Sequence, residues 1–451
     1  MKRFLLLFLG GLLGSALWAQ APEGLTLDQA VKEALEHNLS LQAAGVETSI
    51  KKRDHDLAWN KFYPSISVSG GYLHLNQVIQ PLYIPPAGLV LYSSPYLDNI
   101  TTDFSAQIAI TPALFAQVDQ TLIDYDNAKV SLAEARQNLT TEVKKLFYQL
   151  LVLQETIKVT KADLANADER YRQAQVNYKA GLAPELTMLQ AEVAYENRKP
   201  ALDNLNVNYD KALFAFENLL GRESDPTLKI SGNLNVSDQP ALPDAKVLIQ
   251  KFIDQRLDIE AAKGQIRSAQ GHLNTADLAL WPTLIVHYSA DPTLNSYYNL
   301  QNGWSNSSNW IQQTGSFSVM LNWKLDSLIP TSQSDNQRQD ASDQIRAADL
   351  QLAQLEQTAR SQVMTLVARL NTSAAALASQ EKNVDVALKA YQLTNDAYRT
   401  GARSFLEVQD AELQYETAQL NLLSEKERYI SSLLDLETAL NTTRKEIYGQ
   451  H

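Results

Sequence analysis

The chain has 451 residues, 51 acidic against 39 basic side chains and a net charge of -12, which is too long for one ordinary core and too acidic for the basic face that nucleic-acid binding requires. It contains no cysteine, so neither a disulfide framework nor a thiol for lipid attachment is available.

Residues 1–20 read as a signal peptide. Lys2 and Arg3 precede the apolar run Phe4 to Leu9, small residues follow around Gly14-Ser15-Ala16, and cleavage is expected between Ala19 and Ala21. No stretch of eighteen apolar residues occurs after it, so an exported chain that enters a membrane must do so as strands.

The mature chain is written twice, as repeats over 21–240 and 241–451. Residues 36–64 match 254–282 at an offset of 218 (Leu39/Leu257, Ala43/Ala261, Pro64/Pro282), and 171–220 match 391–440 at an offset of 220 (Tyr171/Tyr391, Gly181/Gly401, Glu192/Glu412, Tyr195/Tyr415, Leu220/Leu440). Such a long period points to a duplicated domain rather than a stacked array.

Each repeat opens with helical pattern, roughly 27–61 and 244–280, that stops at an aromatic-proline step, Tyr63-Pro64 or Trp281-Pro282. Period-two alternation follows: Ile66, Val68, Gly70 and Tyr72 against Ser65, Ser67 and Ser69, then Leu284, Val286 and Tyr288 against Thr283 and His287. After loops rich in Pro, Tyr, Ser and Asn at 77–100 and 291–313, return strands carry Phe104, Ala106, Ile108 and Ile110, and Phe317, Val319, Leu321, Trp323 and Leu325. One β-hairpin per repeat is therefore expected, about 64–111 and 282–325, with the pair Gly70-Gly71 marking a bulge or bend.

Long helices come next, about 113–179 and 331–399. Leu139, Val143, Leu146, Leu150, Leu153, Ile157 and Leu164 recur at alternating steps of four and three, which predicts supercoiling against neighbours. Gly181 and Gly401 end these helices, in turns at 178–187 and 398–410, and helices of about thirty-five residues return. A connector over 221–240 closes the first repeat.

Four strands cannot close a membrane barrel, and an open sheet leaves unpaired edges in lipid. Three copies would supply twelve strands, although two or four copies would also satisfy the backbone. Helices of roughly 100 Å exceed any bilayer, so they stand in the periplasm. Tyr63, Tyr72, Trp281, Tyr288 and Trp323 lie at strand ends or on apolar strand faces and read as membrane-interface anchors, with ordinary packing as the alternative. Six scattered histidines lack ligand spacing, and no nucleophile arrangement or phosphate-binding loop can be placed. The expectation is therefore a protein that is no enzyme and holds neither cofactor nor metal. A rival is an exported coiled-coil or adhesin-like protein without a pore, which would share the heptads but needs no lipid-facing strands.

The duplicated order of helix, hairpin and long helix, with Tyr178-Lys179-Ala180-Gly181 and Tyr398-Arg399-Thr400-Gly401, resembles the TolC-like outer-membrane efflux proteins over essentially the whole mature chain. The resemblance implies a mixed α and β membrane protein: a homotrimer with a twelve-stranded β-barrel, four strands per chain, continuous with a periplasmic α-helical barrel. It implies an outer-membrane location in a Gram-negative-type cell, contact with outer-membrane lipid, and passive conduction within a tripartite efflux or type I secretion system. The partners implied are a periplasmic adaptor (membrane fusion) protein, docking at the turns bearing Tyr178, Gly181, Tyr398 and Gly401, and an inner-membrane transporter. It also implies that Glu407 and Asp410, six and nine residues after Gly401, form a selectivity gate, with Tyr398 and Arg403 helping to hold it shut. Thr187 stands at the matching first-repeat position, where some relatives carry aspartate. Against the gate stands the simpler reading that acids near a helix start complement its dipole.

Overall fold

The computed structural model describes residues 24–74, 79–86, 88–93, 96–235, 242–291, 293–297, 310–311 and 315–449. The expected signal peptide lies outside them, as do parts of the two strand-connecting loops and of the connector. The chain divides into a unit comprising residues up to Ala44, Leu132–Leu257 and Glu356 onwards, and a unit comprising Gly45–Ser131 and Asp258–Leu355.

The second of these holds the sheet. Its strands are β1 (Ser65–His74), β4 (Tyr96–Ile110), β5 (Thr283–Ala290), β6 (Thr293–Tyr297), β7 (Trp310–Ile311) and β8 (Gly315–Asn322), while among the described residues β2 (Ile79–Ile84) and β3 (Gly88–Ser93) pair only with each other. β4 pairs with β1 on one side and with both β5 and β6 on the other; β8 pairs with β5 and β7 with β6. The sheet is thus four strands wide, with β5–β6 acting as one interrupted strand.

The register aligns like with like. Ile66, Ala106, Tyr288 and Phe317 form one cross-strand row, and Ile108, Val286 and Val319 another; on the opposite face Ser65, Gln107, His287 and Ser318 form the row between them, and Ser67, Ser105, Ser289 and Ser316 the next row beyond the first. The Ser67 and Ser105 hydroxyl oxygens are 2.7 Å apart and those of Ser289 and Ser316 are 3.0 Å apart. Side chains alternate between faces, so one face is apolar and the other carries hydroxyls. The apolar face is exposed: Val68 keeps 74% of its surface, Phe317 69% and Leu321 69%.

Three sequence expectations change here. The 77–100 segment carries the β2–β3 ribbon, and β4 starts at Tyr96, well before Phe104. Gly70 and Gly71 pair with Thr102 and Thr101 in unbroken register, so they mark no bulge; the irregularity falls between Tyr96 and Asp98 against β6. β8 ends at Asn322, leaving Trp323 just beyond it and Leu325 at the start of a 3-10 turn.

The other unit is helical. α1 (Leu27–His37) and the start of α2 (Leu39–Asp56) precede the upper part of α3 (Pro112–Lys179), which returns as α4 (Glu185–Leu220). In the second repeat it holds α5 (Ala245–Phe252) and, from Glu356 onwards, α7 (Gln333–Arg399), which returns as α8 (Phe405–Leu440), followed by α9 (Arg444–Ile447); α6 (Leu257–Leu278), from Asp258 on, belongs to the unit that holds the sheet. Two cores result. One joins Ala30 and Ala34 of α1 to Val143, Phe147 and Leu150 of α3 and Leu213, Phe216 and Leu220 of α4; the other joins Leu248 of α5 to Val363, Val367 and Leu370 of α7 and Leu433, Leu436 and Leu440 of α8. Six of these pairs, from Val143/Val363 to Leu220/Leu440, stand at the 220-residue offset, so each repeat builds the same core at the same positions.

The expected first helix of each repeat is broken, at Asn38 and at Arg256. Asn38 Oδ1 accepts from the Leu41 backbone at 2.9 Å, capping α2, and its amide donates to the Leu219 carbonyl at 2.9 Å.

Candidate functional site

The turns after α3 and α7 are near copies. Gly181 and Gly401 have φ of +70° and +80°, and nothing lies within 4 Å of where a Cβ would stand on either. Glycine is required there for its backbone freedom alone. Leu182 N donates to Asn177 O at 2.8 Å and Ala402 N to Ala397 O at 2.8 Å, closing the helix ends as glycine-terminated helices do.

Beyond the glycines the turns diverge. Pro184 precedes α4 without a side-chain cap, and Thr187 is half-buried. Ser404 instead forms a reciprocal capping box with Glu407: Ser404 N and Oγ donate to Glu407 Oε2 at 2.8 and 2.9 Å. The Arg403 guanidinium takes the other oxygen. Hydrogen bonding from the Ser404 backbone, with Arg403 adding to it, holds the Glu407 carboxyl down at about 2. Within this chain Glu407 therefore caps its helix. Asp410, one turn on, is exposed. Tyr398 stacks edge-on against Phe405, ring centres 6.2 Å apart, and Tyr178 is 39% exposed.

Farther from the turns lies a buried polar cluster that sequence reading missed. Arg170 of α3 forms a bidentate pair with Glu412 of α8, one bond being 2.7 Å, and donates to the Tyr391 hydroxyl of α7 at 2.8 Å. Arg198 of α4 pairs with Asp163 of α3 and reaches Glu412 at 3.7 Å. All four charged side chains are largely buried, Glu412 keeping 5% of its side-chain surface and Asp163 6%. Burial pushes the Glu412 carboxyl above its ordinary range, with Arg170 pulling the other way. A cleft of about 310 Å³ beside the cluster is lined by Arg170, Tyr391, Tyr398, Arg399 and Phe405. On either side, tyrosines stack identically in both repeats: Tyr171 on Tyr195 at 6.1 Å and Tyr391 on Tyr415 at 6.2 Å.

The aromatics singled out from sequence are all exposed, with Tyr63 at 70%, Tyr72 and Trp281 at 61%, Trp323 at 52% and Tyr288 at 46%. The Trp323 indole donates to the Leu280 carbonyl at 3.0 Å, fixing the ring beside the α6–β5 junction. A neighbouring cluster of Trp59, Phe62 and Phe115, with Phe62 and Phe115 4.9 Å apart, extends the same aromatic group. Its signal in the sequence is weak, because Trp59 falls in what reads as continuous helix and Phe62 just past its end.

Comparison with known proteins follows the same division into repeats. The outer membrane efflux protein family model matches residues 30–222 and 248–442. The chain is 22% identical over 460 residues to outer membrane protein TolC of Vibrio cholerae, covering 99% of this chain and 97% of that one. It is 20% identical over 434 residues to nodulation protein T of Rhizobium leguminosarum bv. viciae, covering 94% and 83%. Among solved structures, the CmeC outer membrane channel of Campylobacter jejuni superposes with a TM-score of 0.75 at 13% identity, covering 92% of this chain and 85% of that one. CusC gives 0.72 at 17% identity, covering 92% of each. With both repeats matched and the fold shared over 92% of its length, this chain belongs to the outer membrane efflux protein family, and it is a TolC-like protein of the Gram-negative outer membrane.

Proposed function

We propose that three copies of this chain form a passive duct, a twelve-stranded barrel continuous with a periplasmic helical barrel, serving as the outer-membrane channel of a tripartite efflux or type I secretion system. The carrying observation is the sheet. Among the described residues β1 pairs only with β4 and β8 only with β5, so both edges are open within one chain. Lipid offers nothing to hydrogen-bond such edges; joining β8 of one copy to β1 of the next removes them. The exposed apolar rows fit a lipid-facing surface and the serine rows a watery lumen. The aromatics at the strand ends suit the membrane interface.

In the same reading, α7–α8 turns from three copies would bring six carboxylates, Glu407 and Asp410 of each, around one axis, a field that favours cations. Asp410 is the more exposed acid, while Glu407 divides its charge between Arg403 and its own helix cap. Tyr398, Arg403 and Thr187 belong to the same rim in this reading. A periplasmic adaptor would dock at the turns bearing Gly181 and Gly401, and an inner-membrane transporter would supply the energy.

The test is the particle mass of detergent-solubilised protein together with ion selectivity in planar bilayers. A trimer whose cation preference falls on Asp410→Asn supports the proposal. A monomer sinks the duct, and unchanged selectivity sinks the gate.

A further inference from the structure

The duplication sets an ionic contact of α4 beside its counterpart on α8, 220 residues along. On α4, Glu196 holds the Lys199 ammonium at 2.7 Å, and the same ammonium sits over the Tyr195 ring, 4.2 Å from its centre. On α8 the carboxylate and the ring recur as Glu416 and Tyr415, but Gln419 takes the place of the lysine. Gln419 donates to the Tyr415 hydroxyl at 3.0 Å and brings no charge. Glu416 is half-buried, and among the described residues it has no hydrogen bond or ion pair.

The surroundings of Glu416 are short of positive charge. Asp163, Glu412 and Glu416 bring three carboxylates to the α3–α8 joint, against the two guanidinium groups of Arg170 and Arg198. Asp163, 5% exposed, gives one oxygen to Arg198, and its Oδ1 is buried without a partner. Burial, with Asp163 adding to it, pushes the Glu416 carboxyl above its ordinary range. A cleft of about 290 Å³ has Asp163, Tyr415, Glu416 and Gln419 on its wall, together with the apolar Val159 and Ala162. Lys158 borders the cleft, its ammonium held by Glu155 at 2.6 Å.

We propose that this cleft binds a small primary alkylamine, whose ammonium takes beside Glu416 and Tyr415 the place that Lys199 fills beside Glu196 and Tyr195. Asp163 Oδ1 accepts a further hydrogen bond from it, and Val159 and Ala162 cover the alkyl chain. The ligand class follows from the chemistry. An alkylammonium carries three donors for the two carboxylates and is attracted to an aromatic face, and it satisfies an acceptor that is costly to leave buried and unpaired. No group of three or more His, Cys, Asp or Glu among the described residues is arranged to hold a metal ion, so the missing charge is not assigned to a divalent metal. The site needs no residue of a second copy.

The test is ligand-observed NMR and thermal unfolding of the full-length protein in detergent at neutral pH, with n-butylamine as the probe and potassium chloride and 1-butanol at equal concentration as controls. Butylammonium should bind saturably and raise the Tm, and neither control should match it. Glu416→Gln should weaken binding at least tenfold. Gln419→Lys rebuilds on α8 the arrangement of α4; it should abolish binding and raise the Tm of the ligand-free protein. Glu196→Gln should leave the affinity unchanged. No saturable binding to the parent protein, a Tm shift equalled by potassium, or undiminished binding in either α8 variant would overturn the site. Equal weakening by Glu196→Gln would overturn its placement on α8.

Discussion

Asn38 and Arg256 occupy the same place in the two repeats: each interrupts the first helix, and each side chain donates at 2.9 Å to a carbonyl at the end of the return helix, Leu219 for Asn38 and Ala439 for Arg256. Both are largely buried, at 8% and 7% exposure, and the two carbonyls stand at the 220-residue offset. An amide and a guanidinium thus hold equivalent corners. Asn38→Ala removes a cap and strands a buried carbonyl, and is expected to cost about 1–3 kcal/mol in thermal unfolding of the solubilised protein. Arg256→Ala, which also frees Gln362 of α7 from its 3.2 Å contact, should cost at least as much.

The turn glycines should respond to substitution by backbone strain alone. Gly401→Ala meets no atom within 4 Å, so the penalty is that of a left-handed alanine, about 1–2 kcal/mol, and hydrogen exchange at Ala402 should report it locally. Gly221 differs, because its φ is also positive at +74° and a Cβ would sit 2.3 Å from the His37 carbonyl oxygen. Gly221→Ala should lower the global Tm by more than Gly401→Ala does.

Arg170 and Glu412 should be strongly coupled. Removing Glu412 strands the buried Arg170 guanidinium, an effect of about 3–5 kcal/mol, while removing Arg170 leaves Glu412 only its longer 3.7 Å contact with Arg198. The double variant Arg170→Ala with Glu412→Ala should therefore be less destabilised than the sum of the single changes. Additive losses in a double-mutant cycle would show that the two groups act independently.

The Glu407 cap carries a defined pH dependence. Its folded pKa of about 2 lies below the ordinary 4.5, so its contribution is complete above about 4.5 and is lost as pH falls through 2. Amide protection at Glu407 and Val408 should therefore weaken only in that acid window. Glu407→Gln preserves the capping geometry while removing the charge, and should abolish the dependence.

The two sheet faces should tolerate charge differently. Val68→Lys places an ammonium on the exposed apolar face and should reduce outer-membrane assembly, with a cost of about 2–4 kcal/mol near the bilayer midplane. Ser67→Lys, on the hydroxyl face, should assemble normally. Equal yields of folded protein in outer-membrane fractions would contradict the assignment of faces.

Much of this architecture is legible in the sequence because periodicity carries it. The 3.5-residue recurrence from Leu139 to Leu164 and the alternation around Val68 and Val286 each bury or expose one face, and the repeat doubles the signal. Other features depend on partners distant in the chain. Nothing at Asn38 or Arg256 resembles a helix break until Leu219 and Ala439 supply acceptors. The Pro- and Tyr-rich 77–100 segment reads as loop, yet it pairs with itself as β2–β3. Asp163, Arg170, Arg198 and Glu412 each look like a solvated helix charge; only Ala390 and Ala418 at the matching positions hint that the arginines serve one repeat alone. Glu407 owes its capping role to bonds with Ser404 and Arg403, whose pairing with it the sequence alone does not display.

The two turns share a backbone but not a chemistry, since Ala183, Thr187 and Gln190 stand where Arg403, Glu407 and Asp410 stand in the other. Around the proposed ring of three copies, landings that carry Lys179 and Glu185 would alternate with landings that carry Arg403, Glu407 and Asp410. Any encircling sleeve of identical units, one per landing, would have to tolerate both kinds, and one with half as many could choose between them.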